Sequence, residues 1–233
     1  MQPVVFLHAG IADSRMWNPQ VEAFSRHFDV VRPNLWGLDD LVTLLDAGNV
    51  RSAHLVGCSM GGSIAIDFAL ERPERVAKLV LVGSAVRGYR PRDEHIQLFA
   101  EERAAREEGD MKALNEALMR MLLDGPSRPR GYVAQPLRDL FTEMNMPILR
   151  AQQDRASHKR PHWLAIDRLG EITAPTLVVV GDCDMPHVLD IAGMLTDSIP
   201  GARKTVIRDA AHLPNLEHPN EFNRIVLDFL TEG

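Results

Sequence analysis

The stretch Val56-Gly57-Cys58-Ser59-Met60-Gly61-Gly62 constrains the fold more than any other, because it sets a serine between two glycines at the end of an apolar run. Ala53-His54-Leu55-Val56 before it is short, apolar and strand-like. Ser63 to Leu70 after it has helical spacing, with Ile64 and Phe68 four apart. The chain must therefore turn from strand to helix at Ser59. Such a turn holds the serine in a strained backbone conformation, and Gly57 and Gly61 leave room where a Cβ would clash. The hydroxyl then stands at a helix N-terminus, where free N–H groups and the positive dipole end favour a developing oxyanion. A chance G-x-S-x-G in a glycine-rich loop would lack the flanking strand and helix.

A serine hydroxyl is a poor nucleophile near neutral pH and needs a histidine base oriented by a carboxylate. Thr176-Leu177-Val178-Val179-Val180 reads as a buried strand ending in Gly181-Asp182-Cys183-Asp184, which places two carboxylates at a strand's C-terminal end. Thr205-Val206-Ile207 is a further strand, and Ala210-Ala211-His212-Leu213-Pro214 is the loop after it. Spacing alone leaves both Asp182 and Asp184 open as the acid. Asp182 has a plainer role as a turn residue bonding its own loop.

The serine, aspartate and histidine occur in the chain order of the α/β-hydrolase triad. With these motifs, Val4-Val5-Phe6-Leu7-His8-Ala9-Gly10 and Ile199-Pro200-Gly201, the chain resembles single-domain α/β-hydrolases of the esterase, enol-lactonase and carbon–carbon hydrolase kind. The resemblance covers most of the sequence. It implies Ser59 as nucleophile, His212 as base and Asp184, three residues after the strand-ending glycine, as acid. It also implies an oxyanion hole made by the backbone N–H groups of Met60 and Gly10, with Ile11 as the fallback because the usual His-Gly-x is here His8-Ala9-Gly10. His8 reads as a structural residue packing that loop.

Strands are expected near 4–8, 28–33, 53–57, 78–83, 176–181 and 203–209, and helices near 16–26, 38–47, 60–72, 186–197 and 218–231. This alternation predicts an α/β fold, a mostly parallel sheet covered on both faces. It breaks between 86 and 169, where two helical zones, Asp93 to Leu123 and Leu137 to Gln153, flank Asp124 to Gly131. The expected organisation is a core of 1–85 and 170–233 with 86–169 inserted as a helical lid. The charged run Glu101 to Glu108 reads as a solvated helix face. Ile11, Leu140, Met144, Trp163 and Leu213 are the candidate pocket residues, although methionines at helical spacing also pack cores.

The resemblance implies two further elements that the sequence lacks: an initial hairpin, whose absence would leave strand 28–33 at an edge, and a glycine- and serine-containing loop after Gly37. Leu38-Asp39-Asp40-Leu41 follows at once instead. Its absence would open the pocket or lower activity.

At 233 residues with 45% apolar content, one catalytic domain is expected. A net charge of −6, with basic residues scattered among acidic ones, argues against nucleic acid. No apolar run approaches the roughly 20 residues that cross a bilayer, and Met1 leads almost directly into a strand, so a cytoplasmic protein without a membrane partner is expected. Cys58 and Cys183 read as two reduced thiols, and no Cys and His set has zinc spacing, so neither metal nor cofactor is expected. The resulting expectation is a serine hydrolase of small esters or lactones acting through an acyl-enzyme, with a homodimer allowed. Carbon–carbon bond hydrolysis or perhydrolysis by the same triad, or a weakly active binding scaffold, are the alternatives.

Overall fold

The structure is a computed structural model that describes residues 1–151 and 161–232. Apolar residues alternate along its strands between two packed faces. Val5, Leu7, Leu55, Leu79, Leu81, Val178 and Val180 point into one core, while Val4, Phe6, Val56, Val80, Val82, Leu177 and Val179 point into the other. Strands apolar on both sides are stable only when helices cover both faces, and that is the arrangement found.

Six parallel strands make the sheet: β1 (Pro3–Leu7), β2 (Asp29–Val31), β3 (Ala53–Cys58), β4 (Val76–Val82), β5 (Thr176–Gly181) and β6 (Arg203–Ile207). Their order is β2-β1-β3-β4-β5-β6, so β2 stands at one edge and β6 at the other. The chain steps outward from β1 to β2, then returns past β1 to β3 and continues in the opposite direction. The loops leaving β1 and β3 therefore diverge, and a crevice opens at that switch point beyond the strand C-termini. Gly10 and Ser59 lie on those two loops.

The first face is covered by α2 (Leu38–Ala47), α3 (Met60–Glu71) and α8 (Pro186–Ser198), through residues such as Leu41, Phe68 and Leu195. The second is covered by α1 (Asn18–Phe24) and α10 (Pro219–Thr231), where Phe6, Trp17, Phe24 and Phe222 form a chain of ring contacts. A short helix, α9 (Pro214–Glu217), precedes α10. The expected junction at Gly37 is direct: Asp40 Oδ2 accepts the N–H groups of Trp36 and Gly37, at 2.9 and 3.1 Å, and opens α2.

Between β4 and β5 the chain forms α4 (Asp93–Ile96), α5 (Ala100–Glu108), α6 (Met111–Met119), a π-helical turn (Arg120–Asp124) and α7 (Gln135–Arg150). The zone from Asp93 to Leu123, expected as one helical stretch, is thus broken. Gly109 takes a left-handed φ of 71° and the Asp110 carboxylate caps α6 by accepting from Lys112 and Ala113 N–H. The expected end of the second zone at Gln153 lies outside the described residues. This insertion does not float over the sheet. Leu114, Leu118, Phe141 and Met144 are buried in the second core together with Val56 and Val82. No helix among the described residues is long and apolar enough to cross a membrane.

Candidate active site

Ser59 follows β3 and caps α3 with φ 53° and ψ −111°, a conformation that costs a non-glycine residue on the order of 1–3 kcal/mol. The surroundings enforce it. Ser59 N–H donates to Val82 O at 2.9 Å, and Ser59 O accepts the N–H groups of Ser63 and Ala85 at 3.0 and 3.1 Å. The flanking glycines are sterically required: a Cβ on Gly57 would lie 2.4 Å from Gly61 O, and one on Gly61 would lie 2.3 Å from Leu7 O. Strand, helix and β1 therefore meet closer than any side chain permits.

His212 lies in the loop after β6 and Asp184 in the loop after β5, both almost wholly buried. His212 Nδ1 is 2.9 Å from Asp184 Oδ2 and 3.1 Å from Oδ1. An ionised carboxylate can only accept, so Nδ1 carries the hydrogen and Nε2 of the neutral ring is left as an acceptor. Asp184 Oδ1 also accepts Met185 N–H at 2.7 Å, which fixes the carboxylate plane. Burial opposes charge on the imidazole. The Asp184 carboxylate beside it, its hydrogen bond and the more distant Glu217 outweigh that cost and hold the His212 pKa above the ordinary imidazole value. Asp182 does what a turn residue does: its Oδ1 accepts Asp209 N–H at 2.7 Å.

Gly83, which follows β4, was not singled out by the sequence. Its φ is +46°, and a Cβ there would stand 3.1 Å from His212 Nδ1 and 3.2 Å from Asp184 Oδ2. A glycine directly after a core strand was the available signal.

Gly10 and Met60 face each other across the crevice, with a Cβ on Gly10 falling 3.6 Å from Met60 Cβ. Met60 begins α3, so its N–H has no carbonyl one turn behind it in the helix. His8 is the structural residue expected: its Nε2 accepts Leu35 N–H at 3.2 Å, which makes Nδ1 the donor to Ala9 O at 2.9 Å. The two thiols are free. Burial pushes the Cys58 thiol well up, which removes it as a competing nucleophile beside Ser59.

Ser59, His212, Gly10, Met60 and Ile11 line one cavity of about 1240 Å³. The sequence profile of the α/β hydrolase fold matches residues 38–219. The chain belongs to the α/β hydrolase fold family. Over 233 aligned residues this α/β hydrolase is 34% identical to the 2-hydroxy-6-oxo-6-phenylhexa-2,4-dienoate hydrolase of Burkholderia cepacia, a match that takes in 95% of the chain and 79% of the relative. It is 32% identical over 198 residues to the 2-hydroxy-6-oxononadienedioate/2-hydroxy-6-oxononatrienedioate hydrolase of Cupriavidus pinatubonensis, over 80% of the chain and 65% of the relative. The match thus spans just under two thirds of the second relative's length. Among solved structures, the enol-lactonase from Burkholderia xenovorans LB400 superposes with a TM-score of 0.77 at 26% identity, covering 100% of this chain and 92% of that one.

The cavity walls differ from the expected ones. Leu140, Met144, Trp163 and Leu213 do not line it. Met144 and Leu213 are spent in the second core and Leu140 packs against its edge. Trp163 meets the guanidinium groups of Arg87 and Arg168, 4.6 and 4.5 Å from its ring centroid. The apolar walls come instead from Trp36 and Leu38, from Val86 and Phe99 beyond β4, from Leu118, Met121 and Leu122 of the insertion, and from Met185, Val188 and Ile191 of α8 and the turn before it. His187 lines the cavity too, its ring 5.3 Å from that of Phe99, and burial lowers its pKa. Arg87 is the one arginine or lysine among the described lining residues. It makes a two-pronged ion pair with Asp67, each bond 3.0 Å.

Proposed function

We propose that the protein is a serine hydrolase of small carboxylic esters or lactones, with Ser59 as nucleophile, His212 as general base and Asp184 as the group that orients it. The observation that carries this reading is the buried His212–Asp184 pair, which engages Nδ1 and leaves Nε2 of the neutral ring as the acceptor, on a histidine that lines the same cavity as Ser59. In the proposed course, His212 Nε2 takes the serine proton as Oγ attacks the acyl carbon. The backbone N–H groups of Met60 and Gly10 receive the negative oxygen. The imidazolium then protonates the leaving alcohol, and a water activated by the same nitrogen releases the acid and restores Ser59. No residue in this course requires a metal or cofactor.

Esters and lactones are favoured by the walls. They are mostly apolar, and the Arg87 guanidinium is already balanced by Asp67. A substrate bearing a free carboxylate would need a cation that is not so engaged. The second reading, hydrolysis of a carbon–carbon bond in a dienoate, is favoured by the names of the two bacterial relatives. A p-nitrophenyl ester series of increasing acyl length and a set of simple lactones, run beside a 2-hydroxy-6-oxo-dienoate whose chromophore disappears on cleavage, separates the two. Ester or lactone turnover with kcat/KM well above that for the dienoate is expected. The opposite ranking moves the protein to the second reading, and turnover of neither leaves it a binding scaffold.

A further inference from the structure

The loop that presents His212 is held from the insertion, and the device that holds it is a buried ion pair absent from the catalytic course above. Arg128 and Glu217 meet at 2.7 Å with side chains only 6% and 4% exposed. The guanidinium also donates to three backbone carbonyls, Asp124 O at 2.5 Å through Nε, Leu123 O at 2.7 Å through Nη2 and Asp209 O at 2.8 Å through Nη1, and reaches Asp209 Oδ1 at 3.4 Å. Tyr132 covers it, the ring centroid 4.6 Å away, and bonds the Asp209 carboxylate in turn. The other oxygen of Glu217 accepts Ala211 N–H at 2.8 Å. One residue on, His212 N–H donates to Leu122 O at 3.1 Å.

These bonds bracket the histidine. Asp209 and Ala211 are fixed through Arg128 and Glu217, and His212 itself through Leu122. A pair of charges desolvated this far does not need to be ionic for stability, since apolar side chains of similar volume can fill such a space. What the charges add is direction. Four oxygens of two different chain segments are set by one planar group, which a hydrophobic cluster cannot do. The π-helical turn that supplies Leu122, Leu123 and Asp124 also supplies the side chains of Met121 and Leu122 to the cavity wall. The same turn therefore touches both the substrate space and the backbone of the base.

We propose that Arg128 and Glu217 are positioning residues for His212, locking the 209–212 loop to the Arg120–Asp124 turn so that the imidazole is held at its working distance from Ser59. The proposal rests on the triad reading, and its test must be able to fail separately. Arg128→Lys keeps the charge but cannot reach Glu217 and three carbonyls at once. Glu217→Gln keeps the shape and an acceptor for Ala211 N–H while removing the charge. For each variant, kcat and KM on a short p-nitrophenyl ester, the rate of fluorophosphonate reaction at Ser59 and the pH profile of kcat/KM are measured, with circular dichroism and a thermal melt to establish folding.

The expected result is a loss in kcat of roughly ten- to a hundredfold with KM within about twofold, as follows from small misplacement of a reacting group. The fluorophosphonate rate falls in parallel. The acid limb of Glu217→Gln moves to lower pH, because Asp184 and Glu217 are the acidic groups that bear on His212 while His187 opposes them, and Glu217 itself faces Arg128 and His218. Folded variants that keep kcat within about twofold, or that lose rate only through KM, overturn the proposal. Should Arg128→Lys fail to fold, Glu217→Gln decides by the same criteria. A Ser59→Ala protein as active as the unaltered one would instead refute the triad reading, whatever the Arg128 variants do.

Discussion

Asp184 can only accept, so the proton of His212 sits on Nδ1, and this one constraint sets the tautomer on which the proposed chemistry depends. Replacing Asp184 by asparagine keeps the shape but offers an amide that can donate to Nδ1 and leave the ring in the wrong tautomer. A fall in kcat on the order of 10⁴ is expected in steady-state kinetics. Asp182→Asn, which disturbs bonds to Asp209 N–H and the Cys183 thiol rather than to His212, should stay within about tenfold, a change of ~1.4 kcal/mol in the barrier. The reverse ranking would move the acid to Asp182. The pH profile follows with its sign. The base acts only when neutral, and its pKa is raised, so kcat/KM should fall as pH drops through a value above the ordinary imidazole pKa. In Asp184→Asn that limb should move to lower pH, because the group that favours the imidazolium is gone. At this scale the sequence was readable where chemistry demands a residue type. Ser59, His212 and the two candidate carboxylates stood out because each follows an apolar strand. Arg128 and Glu217 did not, since their roles depend on which loops become neighbours, and no spacing in the chain encodes that, while Gly83 is marked only by its place directly after a core strand.

The β3–α3 elbow is the element on which the site is built, and its glycines are a matter of distance. A Cβ on Gly61 would meet backbone carbonyls of β1, which have no rotamer to yield. Gly61→Ala should therefore destabilise the fold at or beyond the upper end of the ~1–3 kcal/mol typical of overpacking. Gly193→Ala, in α8 with nothing within 4 Å of the added carbon, should instead stabilise it by about 0.5–1 kcal/mol. Urea midpoints of the two variants check both signs, and equal effects would mean that the close approach is not a constraint. The elbow, the six strands and the covering helices could be foreseen because periodicity and glycine placement are local signals. The insertion was less legible. Leu114, Leu118 and Met121 recur at helical spacing, but whether such a stripe faces a sheet or a cavity is decided by tertiary placement. Leu114 went to the second core, while Met121, buried against the first, also lines the cavity. Met144, a pocket candidate by its side-chain type, is packed with Phe141 in the core. The break at Gly109-Asp110 is written in plain turn chemistry, which the helical composition on either side obscures.

For the molecule as a whole, the insertion is not uniform, and its dynamics should not be either. In α5 only Ala105 is buried, whereas α6 and α7 bury Leu114, Leu118, Phe141 and Met144 in the same core as the sheet. Amide exchange should be fastest in α5, slower in α6 and α7, and slowest in β3, β4 and β5, following the buried contacts that must break for each to open. Uniformly fast exchange from 93 to 150 would mean that the insertion opens as one body and owes little to the sheet. The central claim, that the switch-point crevice holds an activated serine, is tested most directly by intact-mass measurement after reaction with a fluorophosphonate, followed by peptide mapping. One adduct per chain, on Ser59, formed in the unaltered protein and strongly slowed in His212→Ala, is the predicted result. No adduct on folded protein, or an adduct on any other residue, would contradict it.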